Sequence, residues 1–282
     1  HRDLHFPYTT LFRSPYSGGS SFVSRHSRWR VAPRLFASLF LASLASAPGA
    51  SHQLDEVVVT ATRFPEPYAS TLASVTVIAR ADIERRQART LDELLTGAAG
   101  IALSNNGGLG KASSVFIRGA EADQTLTLVD GVRIGSTTLG AASYQDIPLE
   151  EVERVEIVRG PRSALYGSEA IGGVIQVFTR RGPRDGAPRA ELTVGGGSHA
   201  TWRVGAGLGA GTERSYWRLG ASLLESDGTN ACEGFGAPQF VGCFTDEPDR
   251  DGYRNRSASL RGGTTFGEAT QIELYGDRKS VV

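Results

Sequence analysis

VERVEIVRGPRSALYGSEAIGGVIQVFTRR, residues Val152 to Arg181, is the stretch on which the reading of this chain turns. From Glu153 to Arg159, Val155, Ile157 and Val158 interleave with charges, the pattern of a partly buried strand. Gly160-Pro161 ends that strand, because Pro161 has no N–H to donate and Gly160 tolerates unusual backbone angles. A turn of mostly small residues, Ser163 to Gly173, leads into a second β-branched run, Val174 to Thr179. Upstream the pattern is mixed, and downstream it becomes a strict alternation. The stretch is a hinge between two architectures.

From Arg189 the period is two. Ala190, Leu192 and Val194 alternate with Arg189, Glu191 and Thr193; Trp202, Val204, Ala206 and Leu208 with Thr201, Arg203 and glycines; Trp217, Leu219, Ala221 and Leu223 with Arg218, Gly220 and Ser222. Weaker runs follow at Tyr253–Gly263 and at Gln271–Tyr275, the last one short. Links are short at Gly197-Ser198-His199, Gly211–Arg214 and Gly267–Ala269, and long from Ser226 to Gly252. Short turns on one side and long loops on the other are the pattern of an outer-membrane barrel, with apolar residues facing lipid and polar ones the lumen. Trp202 and Trp217 suit its aromatic girdles, and a soluble β-sandwich is the competing reading. About five strands would leave open edges that lipid cannot satisfy, so residues 183–282 are expected to be the first part of a longer barrel. Lys279 to Val282 are expected to be foreign to the native strand.

Upstream of the hinge, Val75–Ile78 reads as a strand and Asp82–Arg86 as a short helix. Thr90-Leu91-Asp92-Glu93 fits a capping box opening a second helix. Ile101–Leu103, Val115–Gly119 and Thr125–Val129 read as strands, and Asp130-Gly131 is a hairpin turn signal. Asn105 to Lys111 is a polar, glycine-rich loop. The expected fold class is an α+β globular domain, residues 64–182, followed by the first strands of an antiparallel transmembrane β-barrel.

At the N-terminus, residues 1–24 show no periodicity and are expected to be a non-native leader. Residues 25–50 read as a signal peptide, with a basic region (Arg25, Arg28, Arg30, Arg34), an apolar run from Leu35 to Ala47 and small residues after it. Residues 51–63 contain Asp55-Glu56-Val57-Val58-Val59-Thr60-Ala61, whose β-formers favour an extended backbone able to add a strand to another protein's sheet.

The 282 residues carry 30 basic and 30 acidic side chains, so no electrostatic footprint for nucleic acid exists. No apolar run reaches the roughly 18 residues of a membrane helix, so any crossing must use strands. Two nucleotide-binding signals fail. Asn105–Ala112 lacks the Gly and Ser/Thr of a phosphate loop, and Gly205–Ala210 satisfies G-x-G-x-x-A but leads into a turn and another alternating run instead of a helix. No catalytic grouping of Ser, His and Asp is visible, and no enzyme is expected. In an exported chain Cys232 and Cys243 are expected to form a disulfide closing a short loop. The same link holds Asp227, Asp246, Glu247, Asp249 and Asp251; these are either hard oxygen ligands for a structural Ca²⁺ or a solvated acidic loop.

"RGP" and "YGSEAIGGVI" at the hinge resemble the end of the plug domain of TonB-dependent outer-membrane receptors. The resemblance covers Leu54 to about Tyr275. "DEVVVTATRF", "NNGGLGKASSVFIRG", "LVDGVRI" and "RGPRSALYGSEAIGGV" are most similar to the cobalamin-transporting branch of that family, with ferric-siderophore receptors as the alternative. The resemblance implies a receptor in the outer-membrane lipid, energised by the periplasmic domain of TonB, with no catalytic cofactor. It implies that Asp55–Ala61 form the TonB box. It makes Asn105, Asn106, Gly107, Gly108, Leu109, Gly110 and Lys111, with Ser136 and Thr137 of a second loop, the plug apices that meet cobalamin or siderophore. Arg118 and Arg159 would lock the plug against barrel glutamates, and Asp249-Arg250-Asp251-Gly252 resembles a calcium-binding loop, with Asp227 and Asp246 beside it. Leu109, Lys111 and the cysteine-bearing link depart from the cobalamin pattern. A ligand-sensing plug without transport is the remaining alternative.

Overall fold

The computed structural model describes residues 58–59, 66–67, 71–136, 140–232, 249–266 and 270–281. Strand β1 (Val58–Val59) pairs antiparallel with β2 (Glu66–Pro67). The globular part then runs β3 (Ser74–Ala79), α1 (Arg80–Arg86), α2 (Leu91–Leu95), β4 (Ile101–Asn105), β5 (Ser113–Ile117), β6 (Thr125–Val129), β7 (Val132–Ile134), β8 (Val152–Arg159), α3 (Ser163–Tyr166) and β9 (Gly173–Thr179). Five of these strands form a mixed sheet in the order β3-β8-β9-β6-β7, in which β6 and β9 are parallel. Strands β4 and β5 form a separate hairpin.

The hinge stretch supplies two of the sheet's three interior strands. On one face Val155, Ile157, Ile175 and Val177 pack against Ile83, Leu91, Leu94, Leu95, Tyr144 and Leu149. On the other, Val158 and Val174 pack with Val75, Leu126, Leu128 and Ala170. Burial on both faces explains why β9 (GVIQVFT) shows a near-continuous apolar run instead of clean alternation. Between them Gly160 takes φ +91°, a left-handed value that strains any side chain, and its N–H donates to Gly172 O at 2.9 Å. The turn expected there contains the single helical turn α3. Asp130 and Gly131, at φ +48° and +83°, make the tight β6–β7 turn that their sequence announces.

Helix α2 starts after Thr90 as expected, but the capping box does not form. Thr90 makes no side-chain cap bond, and Glu93 instead accepts the Arg89 N–H at 2.7 Å while pairing with the Arg89 guanidinium. A full cation one residue upstream outcompetes the neutral backbone donor of Thr90, since charge-assisted bonds are the stronger kind.

Beyond β9, strands β10 (Arg189–Gly197), β11 (Thr201–Gly211), β12 (Ser215–Ser226), β13 (Tyr253–Phe266) and β14 (Thr270–Val281) form an antiparallel meander in sequence order. The last strand is not short. It runs 12 residues and includes Lys279 and Ser280, paired with Ser257 and Arg256. Main-chain pairing to the 14-residue β13 needs no apolar alternation, which is why the sequence pattern ends before the strand does.

The register lines up Leu192, Ala206, Ala221 and Ala258 in one row and Leu208, Leu219 and Leu260 in the next. These rows lie on the open face, where Leu192, Leu208, Leu219, Leu260 and Leu274 are 45–75% exposed. The opposite, polar face carries Gly205, Gly207, Arg218, Gly220, Ser259 and Arg261 and packs on the globular part. A soluble sandwich would bury the apolar face; here it is the polar face that is covered, as in a barrel wall around its contents. Trp202 pairs with Glu225, eight residues along β12 from Trp217. The two tryptophans are thus about 26 Å apart along the strands, about 20 Å in height at a tilt near 40°, close to the apolar band of an outer-membrane barrel.

Candidate functional site

Asn105 and Ser113 are register partners at the foot of the β4–β5 hairpin, so the loop 106–112 leaves from one closed pair. Asn105 Oδ1 accepts the Gly107 N–H at 2.8 Å and starts the loop's first turn. Asn106 N–H donates to Ala112 O at 3.2 Å, and Lys111 N–H to Gly108 O at 3.4 Å. Gly110, at φ +80°, lies flat under the Tyr253 ring, where a Cβ would overlap the ring carbons. Tyr253 Oη in turn donates to Gln145 O at 2.9 Å, and Asn255 Nδ2 donates to Asp146 O at 3.2 Å. The loop tip, the 144–146 turn and the start of β13 are therefore one unit.

Lys111 Nζ reaches Asp251 Oδ1 at 2.6 Å, and Asp251 Oδ2 accepts the Ala231 N–H at 2.8 Å. Lys111 first, then that amide, holds the Asp251 carboxyl below the usual aspartate range. Asn106 and Gly107 stay exposed at the top, while Gly108, Leu109 and Lys111 are half-buried beside the β12–β13 link. In the second loop Ser136 accepts the Gly140 N–H at 2.8 Å and donates its own to Ala141 O at 2.9 Å; Thr137 lies outside the described residues. An open cavity of about 450 Å³ at the same end is lined by Glu225, Asp227, Arg250, Tyr253 and Arg254.

The aspartates of the link do not converge in the described residues. Asp251 is engaged as above, Asp227 stands 4.0 Å from Arg250 Nη1, and Asp249 is exposed. Among the described residues no three His, Cys, Asp or Glu side chains group as metal ligands, and Asp246 lies outside them. Cys232 is disulfide-bonded, and Cys243 lies outside the described residues.

Lower down, the globular part meets strands β10–β14 through buried charge. Glu150 pairs with Arg203, whose Nη1 also donates to Ala88 O at 2.9 Å. Glu151 Oε2 accepts from Ser259 Oγ at 2.9 Å and lies 4.0 Å from Arg218 Nε. Arg261 bridges Asp130 at 3.0 Å and Glu273 at 2.9 Å. A Cβ at Gly205 would collide with Glu150 and one at Gly207 with the Arg218 guanidinium, so these glycines of the G-x-G run admit close approach of plug and wall side chains; on β12, Gly220 does the same for Glu151. Arg118 and Arg159, expected to lock the plug against glutamates of later barrel strands, lie together beside Gly100, where Arg159 Nε donates to Ala99 O at 2.6 Å. Ion pairs between the globular part and the strands thus run in both senses: Glu150, Glu151 and Asp130 face guanidiniums of the strands, while Arg180 and Arg181 pair with Glu191 of β10 and Glu273 of β14. The sequence offered one signal for them: Arg203 and Arg218 fall on the polar side of the alternation.

Of the extended N-terminal segment, Val58 and Val59 pair with Pro67 and Glu66, while Asp55, Glu56, Val57, Thr60 and Ala61 lie outside the described residues.

A mixed-sheet core seated by buried ion pairs against the polar face of an outward-apolar meander defines a plugged outer-membrane receptor. Residues 67–174 match the family described as TonB-dependent Receptor Plug Domain, and the chain belongs to the TonB-dependent receptors of the outer membrane. It is 37% identical over 222 residues to the vitamin B12 transporter BtuB of Photobacterium profundum, covering 79% of this chain and 35% of that protein. With BtuB of Vibrio vulnificus it is 43% identical over 164 residues, 57% of this chain and 27% of that one. The chain spans about a third of the length of the curated relatives it matches. Among solved structures it resembles the siderophore receptor PirA from Pseudomonas aeruginosa, at 27% identity and a TM-score of 0.51, covering 74% of this chain and 36% of that one. It also resembles the siderophore receptor PiuA from Acinetobacter baumannii, at 20% identity and 0.59, covering 77% and 27%. These relatives are transporters and receptors, not enzymes.

Proposed function

We propose that this chain forms the plug and first wall strands of a receptor that imports a cobalamin. The apex loop 106–112 and the second loop at Ser136 meet the ligand from below, and the β12–β13 link meets it from the side. Ligand favours the conformers in which β1 is freed from β2. The backbone donors and acceptors of Val58 and Val59 then become available to a periplasmic TonB partner, which captures them by strand addition and pulls. The observation that supports the cargo is the identity of 37% over 222 residues and 43% over 164 residues to relatives named as vitamin B12 transporters. A ferric siderophore is the second reading, supported by Leu109 and Lys111 in that loop and by the siderophore receptors of like fold.

The test uses the full-length receptor in cells lacking a cobalamin receptor of their own. Labelled cyanocobalamin should bind and enter, and excess ferric siderophore should not displace it. Displacement, or no cobalamin binding, selects the second reading. Val58→Pro should abolish uptake and keep binding, because proline removes the backbone donor that strand addition needs; normal uptake in that variant would sink the TonB step.

A further inference from the structure

Asp92 sits in the first turn of α2, beneath the apex loop, and only 6% of it is exposed. Among the described residues no Lys, Arg or His forms an ion pair with it. Its Oδ2 accepts the Ser113 Oγ–H at 2.6 Å and an Asn105 Nδ2–H at 3.4 Å. Its Oδ1 is buried without a hydrogen-bond partner. A buried carboxylate with no cation is a costly way to fill space, and an apolar side chain of similar size would pack there more favourably. The two groups it does hold are the register pair that closes the foot of the loop.

We infer that Asp92 is the positioning residue of the apex loop, acting through Asn105 and Ser113 without touching ligand. The carboxylate draws the Asn105 amide nitrogen downward. That leaves the amide oxygen facing the loop, where it accepts the Gly107 N–H and sets the first turn. Asn105 Nδ2 also donates to Ser113 Oγ at 2.9 Å, so both ends of the loop share one anchor. With the tip on Tyr253 and the side on Asp251, the loop is shaped before ligand arrives, which lowers the ordering cost of binding. This inference rests on the reading that the apex loop meets the ligand.

The experiment follows hydrogen exchange and cyanocobalamin binding in the full-length receptor. Asp92→Ala removes the 2.6 Å acceptor of the buried Ser113 hydroxyl and leaves it only Lys111 O at 3.4 Å, so amides of residues 105–113 should exchange about tenfold faster and affinity should fall about tenfold. Asp92→Asn keeps an acceptor for Ser113 and should hold both within about threefold of the parent. Peptides from β8 and β9 should remain protected in both variants. If Asp92→Ala does not fold, Ser113→Ala, which removes the loop-side donor, should loosen the same peptide. An unchanged loop in Asp92→Ala, or equal loss of protection in loop and sheet, overturns the inference. A looser loop with unchanged affinity upholds the positioning role and instead sinks the assignment of the loop to ligand.

Discussion

Arg261 Nη1 lies 3.0 Å from Asp130 Oδ2, joining strand β13 to the β6–β7 turn of the plug. Asp130 Oδ1 accepts the Thr179 N–H at 3.1 Å, so one carboxylate receives the guanidinium of the wall and the backbone at the end of β9. Arg261 also holds Glu273 of β14. Arg261→Ala leaves both acids without that cation, at a cost of about 3–5 kcal/mol for breaking a buried pair. The urea midpoint for plug unfolding in the full-length receptor should fall accordingly, with Arg261→Lys falling less. An unchanged midpoint in Arg261→Ala would show that the plug is held elsewhere.

Gly220 stands where a side chain would enter the Glu151 carboxylate. Gly220→Val should force Glu151 away from Ser259 and cost about 1–3 kcal/mol as overpacking. Gly276, whose added Cβ meets nothing within 4 Å, is the control. Gly276→Ala should resist limited proteolysis like the parent, and Gly220→Val should be cut faster within the plug. Equal cutting of both would show that the close approach is not needed.

The Asp251 carboxyl is held low by Lys111 and the Ala231 amide. A lowered folded-state pKa means that the contact's contribution is complete above the ordinary aspartate value of about 3.9 and is lost as pH falls through the lowered value. The apex loop and the link should therefore stay together at neutral pH and part only in strong acid. Spin labels on Thr229 and Leu109 would report the distance. Asp251→Asn should already be apart at neutral pH, and added Ca²⁺ should not draw the labels of the parent closer. A Ca²⁺-dependent approach would return the acidic link to the role of an ion site.

Cys232, disulfide-bonded in the structure, should be found linked to Cys243 by mass spectrometry of the exported protein without reductant. The closed loop of about ten residues should stabilise the link by roughly 2–4 kcal/mol against its reduced form, measured as a shift in its proteolysis. Two alkylatable thiols in the unreduced protein would exclude the bond.

Much of the fold was legible in the chain because it is written in short-range periodicity. The alternation at Leu192, Leu208 and Leu219 announces strands with one apolar face, and Asp130-Gly131 announces its turn, since both depend on neighbours a few residues away. The helix start at Thr90 was legible too, although neither bond of the capping box forms, since Thr90 makes no side-chain cap bond and Glu93 accepts from Arg89. The apex loop's polar, glycine-rich composition was also visible. What fixes its shape was not. Asp92 acts from 21 residues away in sequence, and Arg261 finds Asp130 across 131.

By itself, then, the sequence determined the globular and the alternating-strand parts of the described chain, the hinge at Gly160 and the sense of the wall's two faces. Only the tertiary structure decided that Gly205 and Gly220 make room for Glu150 and Glu151, that the plug is seated by ion pairs of both senses, its carboxylates on Arg203, Arg218 and Arg261 and its Arg180 and Arg181 on Glu191 and Glu273, and that Lys111 commits its charge to Asp251. The physical reason is that backbone propensity and burial period are local. A buried ion pair is chosen instead by which charges the finished packing leaves without water, and no run of neighbouring residues records that.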